Sequence, residues 1–486
     1  MSAIAGIISQ RPAEELAERV AAMCDIQKLR GPHGTGVDSF PGACLGRNLF
    51  VYENNQGDGS RGALILDTEQ VAAVFDGILF NRDEIQAALP GGKERTPREP
   101  DSMLVLKSYL SWGNDCVNHL DGLFSFAIWN GKKHVLYAAR DRLGEKPFYY
   151  HVSPRGEFIF ASEIKALVKS GLVTKELDHE AIYQYLHEKG FRSPRTPLAS
   201  VRSLEPGHWL EFRDGAVTTG EFWDIPLIPE KVDDEAYVLS RVREILCTAV
   251  AERLRGDSAP ALLYSGGIDS SLLLGVLARV TDKRIKTFTI ATGTPPEPLA
   301  LSRKVSSQFN TDHTELSISS KDMGASITDL VWHLSAPTVH SILPYYCCRE
   351  AQKHGVSTIF SGHMADSTLQ AEWFTSLVMR TERLLSPLRL IPEKARVRIY
   401  DIAERSLREQ ARKRRTRVER YIGLTYEYLK YKRGLSHWYG SRSYPDQIAK
   451  LFSPDIDRRH WLSPADLYRA LYKECGSPHM DERTGY

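Results

Sequence analysis

The residues of this sequence whose types and spacing could do chemistry are concentrated in one string, Ser265-Gly266-Gly267-Ile268-Asp269-Ser270-Ser271. It follows the apolar run Ala261-Leu262-Leu263-Tyr264 and precedes Leu272-Leu273-Leu274, so a glycine-rich turn at the end of a strand opens a helix. Backbone N–H groups at such a turn point at an anion, paired glycines let phosphate oxygens come close, and the helix dipole favours negative charge. The lysine of a Walker loop is absent. Asp269 would repel a bare phosphate, so a carboxylate here makes sense if it holds Mg2+ that bridges phosphates. The expected ligand is Mg-pyrophosphate, with Ser265, Gly266, Gly267, Asp269, Ser270 and Ser271 around it. An isolated Ser-Gly-Gly would read as a tight turn, but the strand–loop–helix setting argues against that. A second loop, Ser361-Gly362-His363-Met364-Ala365-Asp366, also follows a β-like run, and loops at the carboxyl ends of neighbouring strands open toward one crevice. Gly362 joins the nucleotide set and Asp366 is the second metal carboxylate, against the bland alternative of a capping or turn aspartate.

The elements that must position these loops differ between the two halves of the chain. Up to about residue 225 the sequence reads as short strands (IAGII, VAAVFDGILFN, LFSFAIWNGKKHVLYAARD, KPFYYHVSPRGEFIFAS) punctuated by Asp-Gly, Asn-Gly and Pro-Arg-Gly turns. This is a strand-rich α+β domain. Two prolines and several charges between Trp223 and Asp234 mark a boundary, after which the helical pattern EAYVLSRVREILCTAVAERL begins. Beyond it the apolar runs ALLYSGG, IKTFTIATG and VSTIFSG alternate with helical stretches, the pattern of a parallel sheet with helices on both faces. After about residue 370 the pattern is helical and basic, with Arg408, Arg412, Lys413, Arg414, Arg415, Arg417 and Arg420 close together. Such a run is usually a solvated helix face.

A chain of 486 residues is long enough for two domains, and a formal net charge of +2 with 26% charged residues points to neither nucleic acid nor membrane as a partner. No signal-peptide pattern opens the sequence, and no apolar run reaches the length of a membrane span. The seven cysteines are scattered without C-x-x-C spacing, which excludes a zinc site of that type and fits a reducing cytoplasm. Adjacent Cys347 and Cys348 read as buried small residues of a helix.

The loop string resembles that of the ATP-pyrophosphatase superfamily, whose members split ATP between the α and β phosphates. Its position after a strand-rich half-chain resembles the class B asparagine synthetase family, which includes β-lactam synthetases, carbapenam synthetases and lasso-peptide cyclases. The resemblance covers about residues 1–370. Its marks are Ile4-Ala5-Gly6-Ile7, Arg30-Gly31-Pro32, Asp121-Gly122-Phe124-Phe126-Ala127, the string from Ala139 to Tyr150 (ARDRLGEKPFYY), Ala161-Ser162-Glu163-Ile164-Lys165-Ala166-Leu167 and Leu204-Pro206-Gly207. These marks are expected to be turns and core contacts rather than catalytic groups. The resemblance implies an Ntn-hydrolase-like α+β sandwich over 1–225, a glutamine amidotransferase-like domain. An α/β parallel-sheet ATP-pyrophosphatase domain with a helical C-terminal part would then occupy 236–486.

Departures from the family shape the functional expectation. Glutamine-hydrolysing members carry a nucleophilic cysteine at position two, and this chain has Ser2 followed by Ala3. The family's asparagine-glycine-glutamate appears as Asp76-Gly77-Ile78, and its arginine before leucine-serine has no clear match near Leu45-Gly46-Arg47-Asn48. Asp101 still resembles the acid that grips the glutamine amine. A serine is a far weaker nucleophile than a thiolate, although an N-terminal serine can be activated by its own amine. The glutamine site is therefore expected to be degenerate, with the domain kept as a scaffold or specificity surface. In the second half, the family's S-G-(E/D)-G-(A/S/G)-D-E appears as Ser361-Gly362-His363-Met364-Ala365-Asp366-Ser367, and a glutamate-proline pair appears as a serine near Leu334-Ser335-Ala336-Pro337.

The family's late lysine has no match before Tyr486. Either the chain is shortened, another polypeptide or a second copy completes the site, or Lys430 or Lys432 serves. The activity implied is ATP-dependent, AMP- and pyrophosphate-forming ligation of a small-molecule or peptide carboxylate to an amine or ammonia. The alternatives are asparagine synthesis proper, with ammonia or glutamine, and a non-catalytic subunit.

Overall fold

The computed structural model describes residues 2–51, 64–66, 70–90, 99–188, 190–225, 234–254, 259–291, 297–335, 342–356, 358–363 and 365. The chain opens with β1 (Ala3–Ile8), α1 (Ala13–Ile26), β2 (Gly34–Phe40), β3 (Ala43–Leu49), β4 (Leu64–Leu66), β5 (Val71–Leu79), α2 (Arg82–Ala88) and α3 (Asp101–Trp112). A 3-10 turn, Gly113–His119, leads to β6 (Gly122–Asn130), β7 (Val135–Arg140), β8 (Tyr149–Val152), β9 (Phe158–Ala161), α4 (Ile164–Lys169), α5 (His179–Glu188), β10 (Arg202–Ser203), β11 (His208–Arg213) and β12 (Ala216–Glu221). The strands form two antiparallel sheets, ordered β10-β8-β9-β1-β3-β2 and β12-β11-β7-β6-β5-β4.

Side-chain alternation explains how these sheets stack. Along β6, Phe124, Phe126 and Ile128 pack with α3, while Ala127 and Trp129 on the opposite face join Ile4, Leu45, Phe158 and Phe160 of the other sheet. The outer face of the sheet that contains β1 is covered by α1 and α4 through Leu16, Val20, Met23, Cys24 and Leu167. The spacing of Leu16, Val20, Met23 and Cys24 is that of one helix face. The result is four layers, helix–sheet–sheet–helix, with apolar cores on both sides of each sheet. At the β11–β12 hairpin Asp214 and Gly215 both take left-handed backbone angles (φ 51° and 80°), as a two-residue turn between twisted strands requires.

The second half runs α6 (Glu235–Arg253), β13 (Ala261–Leu263), α7 (Ile268–Val280), β14 (Lys286–Ala291), α8 (Glu297–Gln308), β15 (Asp312–Ser317), α9 (Ser320–His333), α10 (Ile342–Lys353) and β16 (Ile359–Ser361). Its sheet is parallel, ordered β15-β14-β13-β16. Val250 of α6 and Leu274 and Leu277 of α7 pack with Leu262 and Phe360 on one face. Cys347, Cys348 and Ala351 of α10 pack with Ala261, Phe288 and Ile359 on the other. The two cysteines are thus helical and buried, and burial pushes the Cys347 thiol far above its ordinary value.

The expected strands are present in both halves. β15 (DHTELS) was not anticipated, because its polar sequence carries no apolar run. By contacts, residues 178–192 with α5 belong to a separate compact unit from the rest of the described chain; within it Asp178 caps α5 by accepting from Ala181 N–H at 2.9 Å. Among the described residues no helix is long and apolar enough to cross a membrane. The basic helical stretch after residue 370 lies outside the described residues.

Candidate functional site

The glycine-rich string sits where β13 hands over to α7. Gly266 has φ +77°, a left-handed conformation that a side chain would strain, and an added Cβ would lie 3.3 Å from Ser302 N of α8. Gly267 is the N-cap of α7. Ser265 Oγ accepts from Gly267 N–H (3.3 Å), and Ser270 Oγ donates to Gly267 O (3.2 Å) and lies 3.1 Å from Ser265 Oγ. These bonds set the curvature of the turn. Ser271 Oγ is 3.2 Å from the Tyr264 hydroxyl. Ser265, Gly267 and Ile268 are exposed, Asp269 is half-buried in the first turn of α7, and Ser270 is buried. A polar loop at a helix start, left open to solvent, is an anion cradle.

The second loop is brought to the same place. β16 pairs in parallel with β13, Leu263 opposite Ser361, so the two loops leave adjacent strands at their carboxyl ends. A Cβ on Gly362 would lie 2.9 Å from Ser270 N and 3.1 Å from the backbone carbon and Cβ of Asp269. Glycine is what permits this approach. Asp366 and Lys430 lie outside the described residues. Among the described residues no cluster of three or more metal-binding side chains occurs. The half-buried Asp269 carboxylate beside an open polar turn fits an oxygen-seeking Mg2+.

The other predicted group surrounds Ser2. A pocket there is lined by Ser2, Arg47, Leu49, Phe50, Asp76, Gly77, Asp101 and Ser102 among others. Ser2 Oγ accepts from Phe50 N–H (3.1 Å), and the Ser2 carbonyl accepts from Arg30 Nε (3.4 Å). Asp76, within β5, pairs with Arg30 (3.2 Å, side chains 1% and 2% exposed), and its Oδ1 is buried with no hydrogen-bond partner among the described residues. Asp101, in the first turn of α3, accepts from Leu79 N–H (2.9 Å) and pairs with buried Arg82 (2.9 Å). Gly77 is held to glycine by packing, since a Cβ would lie 2.2 Å from Leu123 O.

Arg47, for which the sequence offered no clear family match, lies in this pocket and is 4% exposed. The available signal was a lone charge in the strand ACLGRNL, every residue of which is buried, because a buried charge needs a partner or a ligand.

The longest family string turns out to be structural. Asp141 accepts backbone N–H groups from Leu143 (3.1 Å), Glu145 (2.9 Å), Lys146 (2.8 Å) and Phe124 (3.4 Å). Arg140 ties down the carbonyls of Lys146 (2.7 Å), Leu204 (2.8 Å) and Gly144 (2.5 Å). Ser162 closes β9 onto β1, its Oγ accepting from Ile4 N–H at 3.0 Å, and Ile164 N–H at the start of α4 donates to Ser335 Oγ at 3.1 Å.

Comparison with known proteins follows the same division. The family model of the glutamine amidotransferase domain matches residues 1–223, and that of asparagine synthase matches residues 241–475. The chain belongs to the asparagine synthetase family. It is 27% identical over 372 residues to asparagine synthetase [glutamine-hydrolyzing] 3 of Bacillus subtilis, covering 72% of this chain and 60% of that one. To asparagine synthetase [glutamine-hydrolyzing] 1 of the same organism it is 27% identical over 375 residues, covering 75% and 58%. Amidase chyE of Penicillium rubens is 26% identical over 319 residues, covering 61% and 46%. The chain therefore spans about 60% of the length of the two asparagine synthetases it matches. This member of the asparagine synthetase family carries the Ser2 pocket in the half matched by the amidotransferase model and the Ser265–Ser271 turn in the half matched by the asparagine synthase model.

Proposed function

We propose that the chain is an ATP-dependent, AMP- and pyrophosphate-forming amide ligase whose glutaminase is inactive. The observation that carries the reading is the open polar turn from Ser265 to Ser271 with Gly362 seated against Asp269. In this reading residues 236–486 form the ATP-pyrophosphatase domain. Ser265, Gly266, Gly267, Ser270, Ser271 and Gly362 hold the polyphosphate, Asp269 and Asp366 hold Mg2+, and Lys430 meets transition-state charge. Bound Mg2+ would offset the charge of the departing pyrophosphate. An oxygen of the substrate carboxylate attacks the α-phosphorus and displaces pyrophosphate. The amine then attacks the acyl carbon, AMP leaves, and the nitrogen gives up a proton. The chain's contribution is positioning and fixed N–H dipoles.

Residues 1–225 are, in this reading, an Ntn-hydrolase-like domain that no longer hydrolyses glutamine. Serine replaces the thiol, and where the family's glutamine-holding motif has a neutral asparagine this chain has the Asp76 carboxylate, already held by Arg30. The amine comes from free ammonia, the substrate or a partner.

The test is pyrophosphate release from Mg-ATP across a panel of carboxylates, with glutamine or ammonium in turn. Release that depends on one carboxylate, is supported by ammonium and not by glutamine, and is lost in Asp269→Ala is the expected result. Release with aspartate and ammonium would narrow the reading to asparagine synthesis. Absence of release under every condition would sink the ligase reading in favour of a non-catalytic subunit.

A further inference from the structure

A buried polar cluster beside the parallel sheet takes no part in the reaction just described. His313, on the edge strand β15, has its Nδ1 2.8 Å from Thr287 Oγ1 on β14 and 3.1 Å from Ser306 Oγ on α8. Thr311 Oγ1 donates to Ser306 O (3.4 Å), which leaves Thr287 to donate to Thr311 (3.0 Å) and to accept from His313. That network assigns the ring proton to Nδ1. Nε2 is then the lone-pair nitrogen, buried without a hydrogen-bond partner among the described residues and 3.6 Å from Glu315 Oε1. Both Glu315 oxygens are already gripped by Arg303 of α8, at 2.6 and 2.7 Å.

Two short routes lead from this ring to the two ends of the glycine-rich turn. Ser302 and Ser306 lie one turn apart on the buried face of α8, and the Ser302 backbone is what a Cβ on Gly266 would strike. On the other side the imidazole meets the Tyr264 ring edge-on (6.3 Å between centroids), and the Tyr264 hydroxyl contacts Ser271. Tyr264 is also the residue that leads into Ser265. The charged and titratable groups facing the ring are Glu315, Arg303 and Tyr264.

We propose that His313, in its neutral Nδ1–H form, is a positioning residue that pins α8 to the sheet edge and thereby holds the Ser265–Ser271 turn in its anion-receiving shape. Only the identity of the anion rests on the nucleotide reading above. Protonation would place an N–H on Nε2 against a carboxylate that Arg303 already holds in both oxygens, setting strand and helix in competition for Glu315. Burial keeps the imidazole below its ordinary value, with Glu315 opposing, so the neutral form is the resident one at neutral pH.

The test uses the full chain and reads the turn itself by amide hydrogen exchange without nucleotide, alongside Mg-ATP affinity by calorimetry. At pH 7.5, His313→Ala is expected to speed exchange at Gly266–Ser271 and to weaken Mg-ATP binding, each by about tenfold. His313→Asn, whose carboxamide can donate to Thr287, is expected to recover most of both. Acidifying wild type to pH 5.5 should reproduce the exchange increase after correction for intrinsic rates, and His313→Asn should remove that pH dependence. Unchanged exchange in His313→Ala, or an increase spread evenly over the whole sheet, overturns the proposal. Should wild type bind no Mg-ATP, the nucleotide reading fails while the exchange arms still decide the role of His313. If His313→Ala fails to fold, Ser306→Ala and the wild-type pH series carry the same two outcomes.

Discussion

The Ser2 pocket and the Ser265–Ser271 turn are both polar and both stand at the end of a β-strand, but they are satisfied in opposite ways. Around Ser2 the charges answer one another within the protein, Arg30 with Asp76 and Arg82 with Asp101, and all four side chains are buried. At the turn the serine hydroxyls bond among themselves only enough to shape the loop, while Ser265 and Gly267 face solvent and Asp269 stands half-open. A buried pair is costly to break and contributes little net stability. An exposed helix start costs little and waits for an anion. The contrast separates a pocket whose charges pair largely within the protein, Asp76 Oδ1 apart, from a turn left open to solvent.

The largest effect should come from opening that contrast at the turn. Asp269→Ala is expected to lower pyrophosphate release by about 10³-fold per folded molecule, since in the proposed reading it removes the carboxylate that would hold Mg2+. Release within tenfold of wild type would place the metal elsewhere. At the pocket the prediction inverts. Asp76→Ala removes the carboxylate that pairs with the buried Arg30 and should cost about 3 kcal/mol in denaturant unfolding, while pyrophosphate release per folded molecule stays near wild type. Replacing both partners, Arg30→Met with Asp76→Leu, should recover most of that loss. Chemistry at the pocket is probed by Ser2→Cys, expected to yield no glutamate from glutamine until combined with Asp76→Asn, which supplies a donor.

Intermediate in size is Gly362→Ala. Its Cβ would lie 2.9 Å from Ser270 N, so overpacking of about 2 kcal/mol is expected, read as weakened Mg-ATP binding in titration calorimetry.

The smallest effect distinguishes the two halves by acid. His313 lies below its ordinary value of about 6.5 because of burial, so unfolding takes up a proton and its contribution is lost as pH falls below that value. Burial pushes Glu157 up, but hydrogen bonds from Arg11, Ser153 and Ser9 outweigh it, and the carboxyl lies below the usual value of about 4.3. Its contribution persists above that pH and is lost only as pH falls through the folded value. Hydrogen exchange during acidification should therefore rise in β14 and β15 before β1 and β9. The reverse order would show that other groups dominate.

Much of this architecture was legible in the sequence because burial on both faces leaves apolar runs, as in β6 and β13, and because Gly266 and Gly362 mark backbone close approach. The polar β15 was not legible, since its stability comes from pairing with β14 and from the Thr287–His313 contact, neither of which leaves a periodicity. Nor was the place of Arg47 in the Ser2 pocket, because a buried charge is recognised by what surrounds it in space. The family string around Asp141 was legible as a signature, and only the four backbone N–H groups converging on that carboxylate explain why the string is long.

The seating of Gly362 against Asp269 also bears on how such a loop can diversify. Position 362 is crowded, because a Cβ there would lie 2.9 Å from Ser270 N and press on the Ser265–Ser271 turn. The next residue, His363, is exposed and under no such restraint. Packing therefore weighs unequally on two consecutive positions, since a side chain at 362 would press on Ser270 and Asp269 whereas residue 363 is exposed.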